Sequence, residues 1–169
     1  MSPRKLVFAV GVAAGLAVAW YVFRPELLFI NHQVREDFPR SAQDSGPKVL
    51  ATGAFHGVAH ETRGTATVHE TADGRVLRLT DFETSNGPAV HVYLIAAPDA
   101  ADAATVKKAD PIDLGELKGN KGDQNYEVPA GIDLGKYRAV TIWCARFDVN
   151  FGTAPLKALG SDRAMMVTP

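Results

Sequence analysis

A single cysteine, Cys144, occurs in the 169 residues, so no disulfide can close within the chain. Stability must then come from a packed core. Neither sign of charge is in excess: 18 Lys and Arg stand against 19 Asp and Glu, a net charge of -1. That balance excludes the basic footprint of a nucleic-acid binder. No long basic run suggests adsorption to an anionic surface either. Catalytic signatures are missing as well: there is no recognisable Ser/His/Asp triad, carboxylate pair or phosphate loop. The absence of C-x-x-C-H argues against covalent c-type haem.

One long apolar run is present. Leu6 to Phe23 (LVFAVGVAAGLAVAWYVF) holds no charge and no proline. As a helix it would span roughly 27 Å, close to the hydrocarbon thickness of a bilayer. Arg4 and Lys5 precede it, which favours a cytoplasmic N-terminus and an exported remainder. Trp20 and Tyr21 stand near its far end, where amphipathic aromatics prefer the interface. The rival reading is a cleaved signal peptide, since Ala17-Val18-Ala19 offers an A-x-A site. Against it, the run continues unbroken through Phe23, and Leu27 to Ile30 add apolar surface. A single-pass anchor in the cell membrane is therefore expected, with the domain outside the cytoplasm. Gly11 and Gly15 form a G-x-x-x-G pair that could pack two anchors together.

The organisation expected is an anchor over 1–30, a juxtamembrane segment and linker over 31–48, and one domain over 49–169. Val34 and Phe38 could share a helical face in the polar stretch after the anchor. Ser41 to Pro47 reads as a linker. Beyond it lie short strands between turns. Thr65–Glu70 and Arg75–Phe82 flank Asp73-Gly74, a strong hairpin signal. Ala89–Ala97 is apolar on both parities and reads as a central strand. Asp99–Ala109 is expected as a short surface helix or a long loop. Ile112–Leu117 and Asn125–Val128 are strand candidates around the KGNKGD loop. Arg138–Phe151 reads as one long strand with its odd positions on the main core, and Cys144 where its other face turns from dry to wet. These elements predict an all-β fold, an antiparallel β-sandwich or barrel-like domain, with an N-terminal transmembrane helix.

Several segments in order carry a resemblance: GAFHG (53–57), LTDF (79–82), GPAVHVYL (87–94), LGELKGNKGDQNYEVP (114–129) and VTIWCARFDVNFGTAPL (140–156). Together they resemble the DM-thirteen domain, also described as the electron-transfer DM domain, which often accompanies DOMON domains. The juxtamembrane LLFINHQVREDFP resembles the stretch that joins an anchor to this domain in bacterial relatives. The resemblance implies an extracytoplasmic β module with a characteristic cysteine, here Cys144. It also implies a redox or electron-transfer role, through a bare thiol or a bound group such as haem.

Cys144 is accordingly the redox candidate. Arg146, two residues on, would lie roughly 7 Å away on the same strand face and could favour the thiolate. The competing reading of Cys144 is a small buried hydrophobe. His91 could approach Cys144 if their strands pair, forming a Cys-His couple for metal, haem or redox chemistry. Its alternative is a hydrogen-bonded core histidine. His56 and His60 are i, i+4 on a strand and so cannot chelate one ion. Met165 and Met166 could offer a thioether to haem iron but read as packing. Trp143, Tyr93 and Tyr126 read as core or rim aromatics. A lone thiol has no resolving partner within the chain, so a disulfide cycle would need a redox partner protein. The expectation is an anchored electron-transfer module rather than a stand-alone enzyme; the rival is a cell-surface binding or adhesion module.

Overall fold

The computed structural model describes residues 2–23, 30–38 and 48–159. The linker residues 41–47 and the methionines Met165 and Met166 lie outside the described residues. Helix α1 (Pro3–Phe23) is long and apolar enough to cross a membrane, and its side chains as far as Val22 are exposed.

Among the described residues, eleven strands form two sheets packed face to face. The first sheet contains β1 (Gln33–Arg35), β2 (Lys48–Ala54), β4 (Arg63–Thr71), β5 (Gly74–Glu83), β8 (Lys121–Val128) and β11 (Lys157–Ala158), in the order β1-β8-β5-β4-β2-β11. The second contains β3 (His56–Gly57), β6 (Val90–Ile95), β7 (Ile112–Glu116), β9 (Ala139–Cys144) and β10 (Val149–Pro155), in the order β3-β10-β9-β6-β7. The expected sandwich is present. Its pairings are antiparallel except β1 with β8.

Alternation explains the first sheet. Ala66, Val68, Leu77 and Leu79 are fully buried in the core, while Thr65, Thr67 and Arg78 face outward. The β4–β5 hairpin closes through Ala72-Asp73, with Gly74 at φ +136, a conformation that glycine adopts without strain. β6 is flanked by β9 and β7, the central position that its double-parity apolar run predicts; its core face is buried, while His91 and Tyr93 on the outer face are half-buried. Val90, Val92 and Leu94 enter the core between the sheets. Ile95 joins Trp143, Ala139 and Val106 in a second apolar cluster outside, covered by the short helix α2 (Ala103–Lys108). Asp102 caps α2 by accepting from Thr105 N at 2.7 Å.

The stretch 138–151 is a hairpin, not one strand. β9 ends at Cys144, residues 145–148 turn, and β10 runs back beside it. Asp148 takes φ +55 in the turn, which aspartate tolerates better than most residues. The faces are also the reverse of the expectation. Even-numbered Val140, Ile142 and Cys144 enter the main core, and odd-numbered Ala139 and Trp143 lie under α2. With both faces of β9 covered, period 2 carried no information about which was which. Thr141 is buried too, donating to Asn150 Oδ1 at 2.8 Å, while Asn150 Nδ2 donates to Ala100 O at 3.0 Å. That network ties the loop before α2 onto the sheet.

The juxtamembrane residues form an edge strand in place of a helical face. β1 pairs in parallel with the first residues of β8, so β8 begins at Lys121, inside the stretch read as loop. Gly119 and Gly122 make this possible. A Cβ on Gly122 (φ +97) would stand 1.9 Å from Val34 O, and one on Gly119 would stand 2.4 Å from His32 O. Asn120, Lys118 and Arg78 complete the seat. His32 N donates to Asn120 Oδ1 at 2.7 Å, Lys118 Nζ to Glu36 Oε1 at 2.7 Å, and Arg78 Nη1 to Glu36 O at 3.1 Å.

Candidate functional site

The register fixes one end of the sandwich. Arg63 pairs with Glu83, Glu83 with Lys121 and Lys121 with Gln33, while Cys144 pairs with both Val90 and Val149. The loop 84–89, the loop 117–120, the turn 145–148 and the start of β1 therefore share that end. The hairpin turn at Ala72-Asp73 marks the opposite one.

Cys144 is the last residue of β9, and its accessible surface is 0% of the full value. Its side chain enters the aliphatic core with Val90, Ile142 and Phe151, and Sγ–H donates to Pro88 O at 3.2 Å. The loop carrying Pro88 is drawn tightly over it. Ala145 N donates to Ala89 O at 2.9 Å, Ala89 takes φ +57, and a Cβ on Gly87 would stand 2.9 Å from Phe151. Thr84 and Asn86 link the same loop to Asn120 and Asn31. The thiol is thus sealed beneath a loop of irregular backbone, one residue from the sheet's end. It does not stand at a wet edge of the strand.

Arg146 and His91 are both elsewhere. β9 ends before Arg146, so the shared strand face no longer exists; the exposed guanidinium donates from Nη1 to Val22 O of α1 at 3.3 Å. β6 does pair with β9, but the register sets His91 opposite Trp143 and Val90 opposite Cys144. Period-2 geometry then puts imidazole and thiol on opposite faces of one sheet. His91 Nδ1 contacts the Asp113 carboxylate at 2.9 Å instead. A Cys144–His91 pair therefore does not fit a shared metal or haem iron.

The outer face holds an aromatic row. His91 and Tyr93 have ring centroids 6.1 Å apart, and Tyr93 stacks on Trp143 at 6.4 Å and 24°. Burial, then the nearby Asp113 and Asp148 carboxylates, push the Tyr93 hydroxyl above its ordinary value. His56 and His60 have separate partners, and His60 lies past the end of β3 in place of sharing a strand with His56: His56 Nε2 lies 2.9 Å from Asp99 Oδ1, and His60 packs its ring on Phe151. Among the described residues no three His, Cys, Asp or Glu side chains converge as a metal site. Tyr126 is a core aromatic whose hydroxyl donates to Gln124 Oε1 at 2.8 Å.

A groove on the first sheet escaped sequence reasoning. On the outer face of the first sheet, Thr52, Thr67, His69, Arg78 and Phe38 line a shallow groove. Phe38 meets His69 edge-on at 4.7 Å, and Arg78 lies 5.7 Å from the Phe38 ring centroid. His69 Nδ1 is buried with no hydrogen-bond partner among the described residues. Burial, then Arg78, hold this imidazole below its ordinary value. The available signal was the outward parity of Thr65, Thr67 and His69, which looked like an ordinary solvated face.

Against known proteins, a family model described as Electron transfer DM13 matches residues 54–156. No curated protein and no solved structure matches the chain.

Proposed function

The chain belongs to the Electron transfer DM13 family, and from that premise we propose that it is a membrane-anchored, extracytoplasmic electron-transfer module whose redox-active group is the Cys144 thiol. The anchor is α1, with Arg4 and Lys5 on the cytoplasmic side. The observation that carries the proposal is the position of Sγ, hydrogen-bonded to Pro88 O under the loop 84–89. A buried thiol at a strand's end needs one loop to lift, not a core to unfold, before a partner reaches it.

The step is a thiol–disulfide exchange with a partner protein that carries a disulfide. With the loop raised, the Cys144 proton passes to water and the thiolate attacks one partner sulfur. The partner S–S bond breaks, a mixed disulfide forms, and the second partner sulfur leaves as thiolate. A thiolate of a further partner then attacks the first partner's sulfur in the mixed disulfide: that S–S bond breaks, a disulfide joins the two partners, and Cys144 leaves as thiolate and takes a proton from water. In a redox titration of the full chain in lipid nanodiscs with oxidised and reduced glutathione, wild type should form a mixed disulfide that Cys144→Ser lacks. Absence of any adduct on the folded wild-type chain would overturn the proposal.

A second reading, a binding module without a redox step, is favoured by the groove around His69 and Arg78. It predicts that Cys144→Ser keeps full function while His69→Ala loses it.

A further inference from the structure

Among the described residues outside α1, Phe147 is one of three large apolar side chains that are exposed, with Ile30 and Leu159; its exposure is 61%. It sits at the tip of the β9–β10 turn, between Arg146 and Asp148. Burial cannot explain an aromatic there, and the turn's backbone does not require one. Its neighbours on each side are informative. Asp148 is ion-paired with Lys107 at 2.6 Å, whereas Arg146 reaches the carbonyl of Val22.

That contact sets the height of the turn. Val22 lies in the last turn of α1, and the final carbonyls of a helix have no partner within it. An arginine there satisfies one of them and complements the helix dipole. Trp20 and Tyr21, both exposed, immediately precede Val22. If α1 crosses a bilayer, those aromatics mark the headgroup level, and the turn 145–148 lies at the same level. The juxtamembrane strand makes this end of the domain the one where the chain arrives. Asn31 Oδ1 accepts from Asn120 Nδ2 at 2.8 Å and from Asn86 Nδ2 at 3.4 Å, at the turn's own end of the sandwich.

We infer that the β9–β10 turn is a membrane-docking element, in which Phe147 enters the boundary between headgroups and acyl chains and Arg146 meets lipid phosphate. A phenyl ring and a guanidinium side by side match the layered chemistry of that interface. Docking fixes the orientation of the domain, with the loop over Cys144 facing the bilayer and the Ala72-Asp73 turn facing away. The inference rests on the anchor reading above, and the experiment separates the two.

The full chain in a Cys144→Ser background is reconstituted into vesicles of phosphatidylethanolamine and phosphatidylglycerol. An environment-sensitive NBD fluorophore is attached at Phe147→Cys or, as a control, at Asp73→Cys. At position 147 a blue-shifted emission is expected, quenched by spin-labelled lipid and several-fold less by aqueous iodide than at position 73. A chain that resists alkaline extraction but shows equal iodide quenching at both positions overturns the docking and leaves the anchor standing. A chain released by alkaline extraction overturns both.

Discussion

The Cys144 thiol has a carbonyl oxygen for a hydrogen-bond partner and lies in the apolar core cluster. Its reaction with a small maleimide should therefore be slow in the native chain. The rate after denaturation should be on the order of 100-fold higher, equivalent to an opening cost of about 3 kcal/mol. Stopped alkylation followed by mass spectrometry measures this, and native labelling at the speed of an exposed thiol would remove the loop from the account. His69 makes a different residue-scale prediction. Its imidazole is held below the ordinary value of 6.5, so the unfolded chain binds a proton that the folded chain refuses. Stability from this group is complete above pH 6.5 and falls as pH drops towards the depressed folded value. Thermal midpoints between pH 7 and 5 should decline less in His69→Gln than in wild type. Parallel declines would mean that the titration does not matter. Nothing in the sequence flagged His69, because a histidine on the outward parity of a strand is indistinguishable from a solvated one until Phe38 is seen beside it.

At the scale of elements, two differences between expectation and structure share a cause: a covering element remote in sequence. β9 reads as the first half of a long strand because both of its faces are apolar, one against the first sheet and one beneath α2. Phe147 then prolongs the apolar parity through what is a turn. Conversely, the β4–β5 hairpin was legible, since Asp-Gly chemistry and alternation are local. β1 was illegible for the opposite reason. Three residues, Gln-Val-Arg, carry no strand signal, and their partner strand supplies the reason to extend. Gly122 is the sensitive point of that pairing. Gly122→Ala should force Val34 away and strain a positive φ, at a cost of about 1–3 kcal/mol. Limited proteolysis between residues 31 and 38 should become faster, along with a lowered thermal midpoint. Unchanged cleavage would show that the strand tolerates the collision.

For the whole molecule, composition and patterning pointed to an all-β sandwich or barrel-like domain behind an apolar helix, and the structure has the sandwich; the ordered segments pointed to the family whose model matches residues 54–156. What they could not reveal was polarity, because which loops share an end depends on register. That end gathers the sealed thiol, the turn with Phe147 and the re-entry of the chain, so on the proposed reading a partner for Cys144 would work close to the membrane plane. Acid should loosen the arrangement. Burial raises the Glu36 carboxyl, but the Lys118 ammonium, the Asn125 N–H and Arg78 together pull it below its ordinary value of 4.5. With a depressed folded value, its contribution is complete above about pH 4.5 and disappears as pH falls through that lower value. Wild type should lose β1 protection in hydrogen exchange over that range. Glu36→Gln should lack the step and start from weaker protection; a step of equal size in the variant would assign it to another group.

The seating of β1 on β8 also decides how far the domain can travel. Were residues 24–47 all slack, the leash could extend to roughly 80 Å; with the chain clamped from Asn31 onward, residues 24–30 permit about 25 Å at most. On the proposed anchored, redox-active reading, a carrier on such a short tether would not ferry electrons across an envelope. On that reading it would meet its counterpart by lateral diffusion, as two molecules confined to one surface do.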